Sequence, residues 1–265
     1  MPSNNPVEKL LLTIYKQLLG VQKQTSEIGV LLELGTVPLM LFAKKLALKN
    51  WERMKIGKGN SILLDVFNSG EYSWDVNIKS IFESCNMVNF YYQDYPNKKH
   101  PFIFKKIFKK LSDAFREESL KAIKEDTSKL RTYSLFKSDI GLEPYLLDIK
   151  NFEMRAKITK FRLSNHNLRI ETGRHENIDK EERFCPFCPE KVEGEKHFLL
   201  ICPIYCHLRQ LHLSPLIATI DGYETFSVSD KMKNLMSSVD FNLYKFISNG
   251  MDLRKFLTSK PRKRD

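Results

Sequence analysis

The sequence predicts a mainly α-helical fold, an irregular bundle of helices, on two observations. Apolar residues recur at three- and four-residue spacing in one segment after another, as a helix with one buried face requires. Glycine, proline and small polar residues fall at the ends of those segments, where helices start and stop. In order along the chain, Leu11, Ile14, Tyr15 and Leu18 define a helix over residues 7–19, and Gly20 supplies its stop. Thr25 or Ser26 caps a second, with Glu27 in the first turn, where an acid suits the helix dipole. Gly35 and Pro38 break it, and Pro38 sits in the first turn of a third helix through Leu39, Phe42, Leu46 and Trp51.

Gly57-Lys58-Gly59-Asn60 is a turn, too short to cradle a phosphate. Residues 62–67 and 76–82 read as short amphipathic helices capped at Ser61 and Asp75. Residues 89–101 form an irregular stretch holding Tyr91, Tyr92 and Tyr95. A helix over 102–123 turns Phe104, Ile107, Phe108 and Leu111 to the core and Lys105, Lys106, Lys109 and Lys110 to solvent, although interleaved aromatic and basic residues also suit nucleic acid. Residues 129–136 read as a helix ended around Gly141 and Pro144. Asn151 caps the next, through Met154, Ile158 and Phe161 to Leu163, with Arg155, Lys157, Lys160 and Arg162 on its other face. Residues 228–247 and 252–257 are the last helices, before a basic tip at 260–264.

The totals narrow the function. A chain of 265 residues with 42% hydrophobic content buries a real core, and its net charge of +11 favours a polyanionic partner. The most membrane-like run, 28–43, contains Glu33 and Pro38 and is shorter than a spanning helix needs, so two buried helices and no membrane role are expected. The N-terminus does not read as a secretory signal. Five cysteines, an odd number, argue against a secreted disulfide framework and for a nuclear or cytoplasmic protein. Cys85, near Ile81, Phe82 and Val88, reads as a buried thiol.

The other four cysteines lie between 185 and 206. Cys185-Pro186-Phe187-Cys188 is a turn that lets two thiolates face one ion, and His197 and Cys202 complete a tetrahedral set. That donor set suits one structural zinc ion, Zn2+, rather than a cation that requires oxygen ligands. Residues five apart on a regular helix sit about 140° from each other, so His197 and Cys202 cannot share one face. Pro203 therefore matters: it pushes Cys202 out of the helical region, ending a helix over 195–201 and starting another through Tyr205, Leu208 and Leu211. Cys206 and His207 compete with Cys202 as ligands. Lys191, Lys196 and Arg183 are candidates to offset the negative centre. No nucleophile–base–acid pattern, paired-carboxylate spacing or long phosphate loop is present, so neither an enzyme nor a small-molecule substrate is expected.

Several blocks carry a resemblance. Lys129-Leu-Arg-Thr-Tyr133, Phe161-Arg-Leu-Ser164, His166, Leu168-Arg-Ile-Glu-Thr-Gly-Arg174, Glu181-Glu-Arg183 and the span from Cys185 to Pro203 resemble the C-terminal region of non-LTR (LINE-type) retrotransposon polyproteins. Leu19-Gly-Val21, Thr25, Glu33-Leu-Gly35 and Pro38-Leu39 resemble the helical tether after the thumb of the same polyproteins, with Thr36 where arginine is common. The resemblance implies a Cys-Cys-His-Cys zinc knuckle that helps grip RNA or DNA. The polymerase motif with paired aspartates is missing; Tyr92-Gln93-Asp94-Tyr95 has one carboxylate, and no endonuclease domain is present. The chain thus reads as a piece of such an element: a tether-like helical region over 1–125, a helical segment with the knuckle over 126–215, and C-terminal helices with a basic tail over 216–265. Lys157, Lys160, Arg162, Arg169, Arg174 and Arg183 are the candidate phosphate contacts. The alternative is a zinc-stabilised helical scaffold for protein interaction. The oligomeric state is left open.

Overall fold

The structure is a computed structural model that describes residues 5–69, 73–93, 101–237 and 240–259. The tip at 260–264 and part of the aromatic stretch, 94–100, lie outside the described residues. The α-helices are α1 (Pro6–Leu18), α2 (Glu27–Glu33), α3 (Leu39–Lys55), α4 (Ser61–Ser69), α5 (Ser73–Ser84), α6 (Val88–Tyr92), α7 (Pro101–Glu125), α8 (Tyr145–Asp148), α9 (Phe152–Arg162), α10 (Arg169–His175), α11 (Cys206–Leu208), α12 (Ser214–Ile217), α13 (Val228–Ser237) and α14 (Phe241–Ser259). Among the described residues the only sheet is an antiparallel pair, β1 (Phe184–Cys185) and β2 (Cys188–Val192). The mainly α expectation holds.

The chain divides into two compact units, residues 1–11 with 37–119, and residues 12–36 with 120–265. These are not the divisions expected at 125/126 and 215/216. Residues 12–36 fold with the C-terminal part because Leu19, Val30 and Leu32 share a core with Leu130, Tyr133 and Leu163.

In the first unit, Leu48, Trp51, Ile78, Phe82, Ile103 and Ile107 form the core. Trp51 stacks on Tyr91 at 5.6 Å between ring centroids and meets Phe82 at 5.3 Å. Pro38 precedes α3 and offers no side-chain oxygen as a cap. The buried carboxylate of Glu8 does that work, accepting from the backbone N–H of Leu39 at 2.9 Å and of Met40 at 3.1 Å. The cap of α4 is Asn60, which accepts from the N–H of Leu63, one residue before the expected Ser61. On α7, Ile103 and Ile107 are buried while Lys105, Lys106 and Lys109 are exposed, and Lys110 donates to the carbonyl of Cys85. That helix face is core first.

In the second unit, Gly20 ends α1 in the left-handed region at φ +68°, and a Cβ there would lie 2.6 Å from that of Ala156. Ser26 and Asn151 cap α2 and α9 as expected. Residues 129–136 are not a helix beyond one short turn, Tyr133–Leu135. The Asp126 carboxylate accepts from the backbone of Ser128 and Lys129 and holds an irregular turn, and Leu130 and Tyr133 go to the core instead. The C-terminal break also moves. Asp240 caps α14 through the N–H of Leu243, and the helix runs unbroken past Gly250. A Cβ on Gly250 would stand 2.7 Å from the Phe198 ring, so this glycine permits close packing rather than a turn.

Candidate metal centre and basic groove

β1 and β2 form a hairpin whose tip is the Cys-Pro-Phe-Cys turn, with Cys185 opposite Cys188. The turn brings both sulfurs to one side. The chain then enters a helical turn at Glu195 that widens over His197–Ile201 into a π-helical turn. Its closing bond runs from the N–H of Cys202 to the carbonyl of His197, at 2.8 Å. A regular helix keeps residues five apart on different faces, and the wider turn removes that obstacle. Cys202 itself is extended at ψ 122°, as the following proline requires.

Cys185, Cys188, His197 and Cys202 are all buried, and their ligand atoms lie within 4.8 Å of one another. The Cys202 sulfur is 3.9 Å from that of Cys185 and 3.6 Å from that of Cys188, so the thiols are free rather than disulfide-bonded. The competing ligand Cys206 is exposed and outside the cluster. Burial pushes the thiols of Cys202 and Cys185 up and lowers His197, which favours the neutral imidazole, the form that ligates a metal. His197 Nε2 is buried with no hydrogen-bond partner among the described residues. An orphaned ring nitrogen beside three sulfurs is compatible with a single structural metal ion.

The ligands do not form an isolated small unit. Cys185, Cys188 and Cys202 belong to the same core as Phe161, Phe198, Tyr205, Leu235 and Phe246. Phe198, adjacent to His197, has no exposed surface and touches Phe161, Tyr205 and Phe246 at ring-centroid distances of 5.6, 4.7 and 5.4 Å.

The cation at the centre is Arg209, which the sequence reading missed. It donates from Nη2 to the carbonyl of Cys202 at 2.6 Å. Of the expected cations, Lys196 donates to Ser229 instead, and Arg183 to the carbonyls of Ile178 and Ile170. Lys191 is exposed, and its charge adds to the lowering of His197.

Two buried carboxylates lie between the knuckle and His197. Glu193 holds Arg254 through two 2.7 Å contacts and accepts from the backbone N–H of Arg169. Glu195 holds Arg131, Ser164 and His166, the last at 2.9 Å. Burial opposes the Glu195 charge, but His166 and Arg131 outweigh it and bring the carboxyl down to about 2.

The candidate phosphate contacts separate in the structure. Arg162 is a correction: its side chain is 1% exposed and its guanidinium is committed inside the protein. It donates to Glu33 from Nε at 2.6 Å, to Glu143, and to the carbonyl of Met236, with Phe136 4.6 Å beneath its plane. Tyr133 and Tyr145 each donate to Glu33 at 2.6 Å. Burial works against the Arg162 charge, yet Glu33 and Glu143 hold it in the charged form. Arg183, half-buried, donates from Nε and Nη1 to the backbone carbonyls of Ile178 and Ile170. Arg169 pairs with the exposed Glu176 at the surface, where such pairs exchange readily, whereas Arg174 pairs with the buried Glu171, which also holds Arg131.

Lys157 and Lys160 stand together on α9, along a groove of about 640 Å³ whose opposite wall is α14 with Met251 and Lys255. Gln22, Asn165 and Asn167 also line it. A second groove, of about 460 Å³, shares those three residues and is lined by Lys129 and Arg174. His166 lines both and is held by the Glu195 carboxylate, two residues before His197. Compared with family models, curated proteins and solved structures, the chain matches none of them.

Proposed function

We propose that this chain is a non-catalytic nucleic-acid-binding module stapled by one zinc ion, similar to the C-terminal region of LINE-type polyproteins. The observation that carries the reading is the basic groove of Lys157, Lys160 and Lys255, whose walls are tied through Glu193–Arg254 and Glu195–His166 to the metal-binding segment.

Zinc suits the cluster. Zinc–sulfur bonds of about 2.3 Å in a tetrahedron set the sulfurs about 3.8 Å apart. The 3.9 and 3.6 Å separations lie on either side of that value. Cys185, Cys188, His197 and Cys202 would hold the ion, with no open position for substrate. Bound there, it supplies folding energy rather than chemistry.

Two of the residues quoted for the resemblance, Glu33 and Tyr133, bond to each other. A third, Arg162, joins Glu33 as well, so the matched blocks build one buried network.

The test is the salt dependence of binding to a single-stranded RNA or DNA oligonucleotide. Phosphate contacts by Lys157, Lys160 and Lys255 predict that log K falls with log salt with a slope of about −2, from roughly 0.7 per phosphate. Lys157→Glu with Lys160→Glu abolishes binding while zinc content is retained. Absence of binding in dilute salt overturns the reading. One observation favours the scaffold alternative: α4 buries none of its residues and exposes Ile62, Leu63 and Val66.

A further inference from the structure

The groove between α9 and α14 holds more than cations. Its lining includes the apolar side chains of Val21 and Met251, the cations Lys157, Lys160 and Lys255, and three amide side chains, Gln22, Asn165 and Asn167. A phosphate track alone needs only the lysines. An apolar lining that also carries amides is the chemistry that receives a flat, heteroatom-edged ring.

The local geometry keeps the amides in place. α9 ends at Arg162, and Ser164 turns the chain sharply at φ +53°. The Asn165 side-chain oxygen Oδ1 then accepts from the backbone N–H of Gln22 at 3.0 Å, so its NH2 remains the donor of that amide. Buried Glu195 fixes His166, the residue between the two asparagines. Asn167 is exposed at the rim. On the lysine side, Lys157 donates to Ser248 at 2.8 Å, and Lys160 lies one turn further along the same face of α9. Lys255 faces them from α14, and Asp252 adds one carboxylate able to accept from a base N–H.

Resting on the nucleic-acid reading above, we infer that this groove seats one unstacked nucleotide of a single strand. The base lies over Val21 and Met251, with Asn165 and Asn167 at its edge, and the flanking phosphates meet Lys157, Lys160 and Lys255. A duplex, whose bases stay stacked and paired, cannot enter. RNA and DNA share the chemistry invoked, so the strand is defined by being single rather than by its sugar.

The experiment measures affinity of the zinc-loaded protein for four probes of equal total charge: single-stranded RNA, single-stranded DNA and an abasic DNA strand of one length, and a DNA duplex of half that length. The inference predicts at least about tenfold weaker binding of both the abasic strand and the duplex, the order of a single seated base. Asn167→Ala, at an exposed position that does not support the fold, narrows the gap between normal and abasic strands and leaves abasic binding unchanged. Lys255→Met weakens all four probes together. Equal affinity for abasic, single-stranded and duplex probes overturns the seated base while leaving an electrostatic nucleic-acid surface intact. Failure to bind any of the four overturns the nucleic-acid reading itself, and this inference with it.

Discussion

Glu33→Gln is the substitution that most sharply tests how the second unit is held together. The Glu33 carboxylate is fully buried and accepts from Arg162 and from the hydroxyls of Tyr133 and Tyr145. Nearby, Lys137 and Arg162 both pair with Glu143, so two buried cations face two carboxylates. Glutamine keeps the shape, removes one negative charge and leaves the pocket with excess positive charge. Breaking a buried pair in this way costs about 3–5 kcal/mol. For a unit of this size that is a fall in Tm of about 10 °C. The assay is chemical denaturation of the zinc-loaded protein, followed by a double-mutant cycle with Arg162→Met. Glu33→Gln with Arg162→Met removes both charges and leaves Lys137 paired with Glu143, so the double variant recovers most of the loss. A loss below about 1 kcal/mol for Glu33→Gln, or simple additivity in the cycle, refutes the charge-balance reasoning.

Gly35→Ala places a Cβ 2.1 Å from the backbone nitrogen of Leu142 at φ +60°, and is expected to destabilise by at least about 2 kcal/mol in urea denaturation. Phe198→Ala empties the centre of the second unit's core and is expected to cost about 3–5 kcal/mol; a loss under half that contradicts the packing described. Cys188→Ser, or chelation, is expected to lower amide-exchange protection beyond 184–202 into α13 and α14, because the ligands share their core; loss confined to the knuckle counts against this. Asp126 has its carboxyl held below the usual range: burial opposes the charge, but hydrogen bonds from Ser128, Lys129 and Leu130 outweigh it. Its contribution is present above the unfolded carboxylate value of about 3.9 and lost as pH falls through the lower folded value. Asp126→Ala therefore flattens the acid side of the stability profile.

Local signals found the helices and the knuckle. Ser26, Gly20 and Asn151 act where the pattern of caps and stops places them, because those interactions span only a few residues. The four ligands were legible for the same reason, and the proline after Cys202 marked where the helix must end. What sequence could not reach was long-range pairing. Arg162 sits on the basic side of α9 by spacing, yet Glu33, 129 positions away, draws it into the interior. Gly250 looks like a break until Phe198 is placed against it. Glu193 and Glu195 carry no local signal of burial; each is buried where an arginine from elsewhere in the chain meets it. Residues 129–136 have helical spacing, but their apolar side chains are claimed by a core that the periodicity does not reveal.

The central claim is a metal-stapled fold with Cys202, not Cys206, as the fourth ligand. Metal content per chain, measured on purified wild type, Cys202→Ser and Cys206→Ser, tests it most directly. One zinc per chain in the wild type and in Cys206→Ser, with loss in Cys202→Ser, is the predicted result. A metal-free wild type, or loss on replacing Cys206 with Cys202→Ser unaffected, contradicts it.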